Sequence, residues 1–524
     1  MKTHLRKQNM QKSLETPTQK IKSLQEIEEI LGADRSIGLK IVQCHGVFDL
    51  LHPGHIRHFR TAKEQGDKLI ITITPDRFVN KGPGRPVFTE ALRLEAIAAL
   101  QDVDYVVLND SPDAVSIIKK IKPSIYVKGN EYSDHGSDIT GKISEEAKAV
   151  ESVGGKIFYT DDIVFSSSSL LNRYFDNIPP EVTRFLNSLK ATYTDKDIIK
   201  KIESLTNLNV LVIGDAIIDE YQFVSPLGQS GKGLHMAARC LEKEIYLGGS
   251  LIIANHIAQF TPNVTLLTAL GKDCPHMNFI RQNLDPSIKT KFTYLDDTTT
   301  LTKKRYVLKD GKTLSKLFEC YSGQDEALEP RQTFEIIQFL QENAHKYDLV
   351  LVCDFGNEFT NPQIIDAIAD LPNFLALNTQ TNSGNRGYNV VTNYRRADFI
   401  SLNEPEFRLA AHDKRSSLEG IAADICQIMT CKNISITRGV DGVFSYTSDG
   451  NSMQIPAFAT NSVDRIGAGD AFLSLCSLCL ANHYSPALSN FIGSIAAAMS
   501  VQMVGNQESI KKTSLCKFIT RLMK

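Results

Sequence analysis

Short apolar runs that stop at a glycine or an acid recur along this chain, and stretches of helical period separate them. The first run, Leu39-Lys40-Ile41-Val42-Gln43-Cys44, stops at His45-Gly46 and is followed after a turn by a helical stretch from Gly54 to Gln65. Similar runs begin at Lys68 and at Val210, fill Asp348 to Asp354 and Phe374 to Asn378, and recur at Ile434. Runs this short, apolar without alternation, suit strands covered on both faces, and strands alternating with helices predict parallel α/β sheets. The rhythm breaks between Asp176 and Asn207, where two charged helical stretches, Pro179 to Lys190 and Asp195 to Leu205, carry no strand pattern. Residues 1 to about 23 are rich in Lys, Gln and Thr and lead into a short helical pattern from Ile21 to Leu31. The expected organisation is a tail and helix (1–37), a first domain (38–175), a helical linker (176–206) and a second domain (207–524).

Length supports this division, since 524 residues exceed what one hydrophobic core usually holds. The formal charge of −2 argues against a general nucleic-acid or membrane-surface binder, so the expected partners are small molecules. No apolar run approaches the roughly 20 residues that span a bilayer, and the ten cysteines are read as reduced thiols, with Cys44 and Cys353 in strand cores. The expected address is the cytoplasm.

Three places carry candidate chemistry. At Val463-Asp464-Arg465-Ile466-Gly467-Ala468-Gly469-Asp470-Ala471-Phe472, small residues let backbone N–H groups converge while a helix starting near Ala468 adds its positive end. An acid beside an anion hole can take a hydroxyl proton while the hole stabilises transferred phosphoryl oxygens; a plain helix start with an acidic first turn reads the same way. Secondly, Pro53-Gly54 holds a turn between His52 and His55, letting both rings face whatever lies above the strand end. Such a pair can grip phosphate oxygens, hold a metal, for which the spacing offers no nearby third ligand, or lie on a surface turn. Thirdly, the strand from Val210 ends at Gly214-Asp215 with Asp219 four residues on, where carboxylates can accept from sugar hydroxyls or merely cap.

The segment from Val463 to Phe472 resembles the C-terminal signature of ribokinase-like (PfkB) sugar kinases. That resemblance implies Asp470 as catalytic base, with Gly467, Ala468 and Gly469 as the anion hole. It implies substrate contacts at Asp215, Asp219 and the double glycine Gly248-Gly249. The family's substrate asparagine falls by ungapped count on Ile252, and Asn255 is the amide available nearby. Asn403-Glu404-Pro405-Glu406 resembles the family's N-x-x-E, implying that Asn403 and Glu406 organise Mg2+ through water, and Thr437 and Gly439 resemble its nucleotide site. Thr302-Lys303-Lys304-Arg305 resembles a strand of the family's small lid, where a basic group can meet a substrate phosphate or form a solvated charge run. Where many relatives carry Asp-Pro, this chain has an amide-rich loop from Asn378 to Gly387.

The first domain resembles the cytidylyltransferase-like branch of the nucleotidyltransferases through Gly46-Val47-Phe48-Asp49 and His52-Pro53-Gly54-His55. The likeness implies catalytic roles for His52 and His55, and nucleotide contacts at Gly46, Phe48, Asp49, Lys128, Ser167 and Ser168. It also implies a substrate contact at Arg93.

Together the resemblances imply an N-terminal Rossmann-like nucleotidyltransferase domain and a C-terminal ribokinase-like α/β domain with a small β lid. The fusion resembles the bifunctional heptose 7-phosphate kinase and heptose 1-phosphate adenylyltransferases, with the two domains in reversed order. The implied function is synthesis of a nucleotide-activated sugar, using Mg2+, ATP in the kinase and ATP or CTP in the transferase, in a homo-oligomer such as a dimer. A polyol-phosphate cytidylyltransferase joined to a kinase of other specificity, or a catalytically silent nucleotide or sugar sensor, remains open.

Overall fold

The computed structural model describes residues 16–79, 86–129, 142–160, 179–296, 298–310, 313–323, 327–382, 384–459 and 462–523. The chain divides into two compact units, residues 1–177 and 178–523. Ser167 and Ser168 lie outside the described residues.

In the first unit, strands β1 (Ile21–Lys22), β2 (Ile41–Gly46), β3 (Lys68–Ile73), β4 (Tyr105–Leu108), β5 (Ile125–Gly129) and β6 (Lys156–Thr160) form one parallel sheet. Its order is β1-β4-β3-β2-β5-β6. Alternate residues serve two cores. Ile41 and Ile70 pack under helices Leu24–Ser36 and Val115–Ile121, while Val42, Cys44, Leu69 and Ile71 pack under helices Pro53–Lys63 and Glu90–Ala98. The order reverses between β2 and β5, and in such sheets ligands bind outside the strands' carboxyl ends at the reversal. Gly46 and Lys128 lie at those two ends.

The second unit has a nine-stranded sheet built from β7 (Val210–Gly214), β10 (Val264–Gly271), β11 (Lys289–Leu295), β14 (Leu349–Asp354), β15 (Phe374–Thr379), β16 (Arg396–Asn403), β17 (Thr430–Thr437), β18 (Val443–Thr447) and β19 (Ser452–Ile455). The order is β11-β10-β7-β14-β15-β16-β17-β18-β19, parallel from β11 to β17. Val210 and Val212 face one core and Leu211 and Ile213 the other, so this sheet is covered on both sides. A separate four-stranded sheet, ordered β13-β12-β8-β9, is made by β8 (Ala216–Gln229), β9 (Met236–Gly249), β12 (Thr302–Asp310) and β13 (Thr313–Ser322). It is the small lid that the sequence implies.

The stretch expected as a linker belongs, from Pro179 onward, to the second unit. Helices Pro180–Lys190 and Asp195–Ser204 put Val182, Leu186, Leu189, Ile198, Ile199 and Ile202 into its core, because their apolar residues fall on one face. Each such side chain contributes about 1.5–3 kcal/mol when fully buried, so together they match the whole margin of a typical domain. A fragment starting at residue 179 is therefore expected to melt cooperatively near the full chain, and one starting at 205 to melt far lower or aggregate. Scanning calorimetry of the two fragments checks this, and equal melting would place the helices outside the cooperative unit.

Cys476 and Cys479 stand in C-x-x-C spacing, which elsewhere marks a redox dithiol. Here both lie inside the apolar helix Ala468–Ala481, where burial pushes both thiols up and makes them inert. Among the described residues no helix is long and apolar enough to cross a membrane.

Candidate functional site

In the first unit, β2 ends at Gly46 and helix Pro53–Lys63 begins after the loop between them. His52 holds the position before the helix and its carbonyl accepts from His55 N at 2.9 Å. The two imidazoles stack with ring centres 3.9 Å apart, and Phe48 meets His55 edge-on at 5.3 Å. Burial lowers the pKa of His52 and favours its neutral form, which still donates one N–H. Phe48 adopts a left-handed backbone, φ 48°, a costly conformation for an aromatic residue that bends the loop back over the helix start.

Asp49 is buried, and its Oδ1 accepts from Val87 N at 2.7 Å and Phe88 N at 3.1 Å. It thereby fixes the loop opposite. Across the strand reversal, Lys128 pairs with Glu146 at 2.8 Å, which also accepts from Tyr126 OH at 3.2 Å. Arg93 is a correction to the sequence reading. It is 2% exposed, and its guanidinium donates to the carbonyls of Phe88, Val47 and Thr74 and to Asp76. Those bonds make it a clamp on the loops around Gly46 and Thr74, leaving no face for substrate.

In the second unit the candidate residues gather at the carboxyl ends of β7, β14, β16 and β17. Asp215 follows β7, and its Oδ2 accepts from Phe355 N at 2.8 Å and Asn357 N at 3.5 Å. Asp354, at the end of β14, accepts from Tyr394 OH at 2.9 Å, Gly356 N at 3.0 Å and Asn389 Nδ2 at 3.0 Å. Both acids are buried, and burial followed by the charge of Asp354 raises the pKa of Asp215. A small cleft of about 30 Å³ beside Asp215 is lined by Thr299, Thr300 and Asn357 together with apolar groups that include Leu295, Leu301 and Phe359.

Asp219, on β8, forms an ion pair with Arg305 of β12. Gly248 lies against its other side, where a Cβ would stand 2.5 Å from Asp219 Oδ2, so only glycine admits the carboxylate there. Asn255 does not join this group, which corrects the sequence reading. Its Nδ2 donates to Asn283 O at 2.8 Å and its Oδ1 accepts from Asp285 N at 2.8 Å, so the amide is spent holding a turn on the far side of its helix.

Gly467 precedes the helix Ala468–Ala481 at φ 83°, a left-handed turn that a side chain would oppose, and Asn506 leaves no room for a Cβ there. Asp470 sits in the first helical turn. Burial, then the charges of Asp219 and Glu406 opposed by Lys303, push its carboxyl up to about 7. Asp219, Lys303, Glu406 and Asp470 thus share one electrostatic field. Asn403 and Glu406 form a reciprocal cap: Asn403 Oδ1 accepts from Glu406 N at 2.8 Å and Glu406 Oε2 from Asn403 N at 3.3 Å. Burial pushes Glu406 up to about 6. Thr437 lies in register beside Asn403 on the next strand, and Gly439 turns the chain just beyond.

The amide-rich loop is tied down rather than open. Asn385 donates to the Phe355 and Gly356 carbonyls at 3.3 and 3.1 Å, and Asn389 to Asp354 O and Gln380 O at 3.1 and 3.2 Å. Sequence reasoning treated Asp354 only as a strand end and did not single out Tyr394. The acid at the end of an otherwise apolar strand was the available signal for the first, while the second shows only in three dimensions.

A pfkB family carbohydrate kinase model matches residues 207–513, and a cytidylyltransferase-like model matches residues 44–173. Curated relatives include the bifunctional protein HldE of Geobacter metallireducens, 39% identical over 140 residues, which is 26% of this chain and 27% of that protein. HldE of Gluconobacter oxydans is 38% identical over 144 residues, 27% of this chain and 29% of that protein. The matches thus span little more than a quarter of those relatives' length, in the nucleotidyltransferase part. Among solved structures, ribokinase from Thermotoga maritima is similar at TM-score 0.47 and 16% identity, covering 59% of this chain and 99% of that one. Phosphofructokinase-2 from Escherichia coli is similar at TM-score 0.48 and 12% identity, covering 60% of this chain and all of that one.

Proposed function

Because the chain belongs to the pfkB family of carbohydrate kinases, we propose that its second unit transfers the γ-phosphoryl group of ATP to a sugar hydroxyl. The first unit, on this reading, transfers a nucleotidyl group from ATP or CTP to the resulting sugar phosphate and releases pyrophosphate. A heptose phosphate leads the substrate candidates, since a carbohydrate kinase joined to a nucleotidyltransferase resembles the bifunctional heptose enzymes and the relatives at 38–39% identity over the transferase part are themselves named bifunctional. The observation carrying the proposal is the placement of Asp470 in the first turn of a helix whose start is the left-handed Gly467.

In the kinase reading, Asp215 and Asp219 accept from sugar hydroxyls. Asp470 accepts the proton of the attacking hydroxyl, and the backbone N–H groups of Gly467 to Gly469 receive the transferred oxygens. Magnesium, when bound, would neutralise phosphate charge. Asn403 and Glu406 fit it through water, because the Glu406 carboxylate keeps lone pairs beyond its backbone bonds. In the transferase reading, the sugar phosphate oxygen attacks the α-phosphorus while His52, His55 and Lys128 stabilise charge on the phosphates. Ten free cysteines suit a reducing compartment, consistent with work in the cytoplasm. Assembly as a homodimer is part of the proposal.

A base must be ionised to act, so the phosphorylation rate should fall as pH drops through about 7 instead of holding down to the ordinary carboxylate range near 4. A pH profile of kcat/KM for sugar phosphorylation by the full chain tests this. A rate flat from pH 5 to 8 would contradict the raised pKa, and loss of the low-pH limb in Asp470→Asn would tie that limb to this carboxyl.

A further inference from the structure

Asp464 is a buried acid that the transfer chemistry does not use, and its four bonds join two parts of the second unit. It stands in the loop before Gly467, where Val463 N and Asp464 N donate to Val501 O at 2.7 and 3.3 Å, just past helix Pro486–Ser500. Its Oδ2 accepts from Tyr221 OH of β8 at 2.7 Å and from Gly505 N at 3.0 Å. Its Oδ1 accepts from Lys316 Nζ of β13 at 2.9 Å and from Ile466 N at 3.2 Å. Each oxygen thus takes one donor from the small lid and one from the loops beside the Gly467 turn. Burial alone would raise the pKa of Asp464, but the Tyr221 hydroxyl and the Lys316 ammonium outweigh it and hold the carboxyl below the ordinary range, so it stays ionised.

The apolar contacts follow the same seam. Tyr221, Phe223, Tyr246 and Val307 of the lid form a small core of their own, and Ile466 and Val504 pack on it. Gly505 fits against the Tyr246 ring, where a Cβ would stand 2.9 Å away. Asn506 donates to Leu247 O of β9 at 3.1 Å, and its Oδ1 fills the space that a Cβ on Gly467 would need. Tyr221 also lies under the guanidinium of Arg305, the ion-pair partner of Asp219. Contacts therefore run without a break from Asp219 through Arg305, Tyr221 and Asp464 to Ile466, the neighbour of the Gly467 turn.

We propose that Asp464 is a positioning residue for phosphoryl transfer, whose carboxylate fastens the small lid to the Gly467 turn. The sugar held by Asp219 and the N–H groups that receive the transferred oxygens then keep one geometry. The proposal rests on the kinase reading above. Asp464 acts on the reaction only through its neighbours, since both of its oxygens are taken by the four donors. A shift of about 1 Å between reacting groups can cost about 10²-fold in rate, so a loosened seam is felt in kcat before it is felt in binding.

Tyr221→Phe and Lys316→Met each remove one lid donor and leave Asp219, Gly467 and Asp470 in place. With a sugar that the parent turns over, each should lower kcat about tenfold while KM for ATP and for that sugar changes less than about threefold. Lys316→Arg should recover most of the rate, and Asp464→Asn, which keeps an acceptor but loses the charge, should be at least as slow as Lys316→Met. Hydrogen–deuterium exchange of the full chain, with no ligand added, supplies a readout that a general loss of stability would not give. In Tyr221→Phe the bonded amides of Ile466 and Gly505 should exchange about tenfold faster, while peptides of β14 keep the parent's rate and the melting temperature stays within about 4 °C. Lid variants that phosphorylate within about twofold of the parent, or exchange that quickens in β14 as much as at Ile466 and Gly505, would overturn the positioning role and leave the kinase reading standing. A parent that phosphorylates no sugar, with exchange at Ile466 and Gly505 unmoved in the variants, would overturn both.

Discussion

Replacing Asp470 by asparagine is expected to lower sugar phosphorylation by about 10²- to 10⁴-fold, the range for loss of a positioned base with its shape retained. The amide keeps the first helical turn and leaves Gly467 at φ 83°, so the backbone N–H groups still point where they did. ATP affinity should hold or improve, because one negative charge leaves a site that already contains Asp219 and Glu406. Transfer of a nucleotidyl group to a supplied sugar 1-phosphate should be unchanged, because Asp470 and the transferase residues belong to different units. Rates of both half-reactions, measured on the same variant, make the check. A variant that phosphorylates as fast as the parent ends the assignment of Asp470 as base.

In the other unit, His55→Ala is expected to cut nucleotidyl transfer by roughly 10²-fold or more, the usual consequence of losing one donor to the transition state. Nucleotide binding should weaken much less. The ring of His55 also packs on His52 at 3.9 Å and on Phe48 at 5.3 Å, so alanine opens a small gap beside the loop. His55→Gln separates the two effects, because it keeps volume and one N–H donor. A variant in which the glutamine is as slow as the alanine, with an unchanged melt, points to the imidazole itself. Equal rates for the parent and both variants would remove His55 from the transfer chemistry and leave its ring a packing role.

The strand pattern made the two sheets legible, because a fully covered strand leaves a continuous apolar run and β2, β7, β14 and β15 all do. The spacing of Gly46, Phe48, His52 and His55 across one strand–turn–helix likewise brought those residues to one carboxyl edge. Partner choice was the illegible part. Arg93 reads as a substrate contact because an arginine in a polar site is usually a ligand, yet its place under three loop carbonyls decides otherwise. Asn255 likewise stands beside the right glycines while its amide faces away toward Asn283 and Asp285.

The amide-rich loop shows the same limit from the other direction. Read along the chain it looks like a loss of the family's usual site, since no acid stands there. In three dimensions Asn385 and Asn389 satisfy the carbonyls of residues 354–356, and Asn389 Nδ2 also donates to the Asp354 carboxylate, opposing the upward shift that burial imposes on it. The helices from Pro180 to Ser204 could be seen as helices but not placed, because an amphipathic face states that it is covered without stating by what. Lys303 and Lys304 are neighbours in sequence, and strand alternation alone sends one inward and the other toward Glu220.

The central claim is that one chain carries out two successive transfers at phosphorus. Phosphorus NMR of the full chain with ATP, CTP, magnesium and a panel of sugars and sugar phosphates that includes a heptose 7-phosphate tests it most directly. The account predicts a new sugar phosphate resonance accompanied by ADP, followed by its decline as a coupled diphosphate pair and pyrophosphate appear. Nucleotides left intact with every sugar, while they still raise the melting temperature of the chain, would contradict it and identify a protein that binds these ligands without transferring phosphorus.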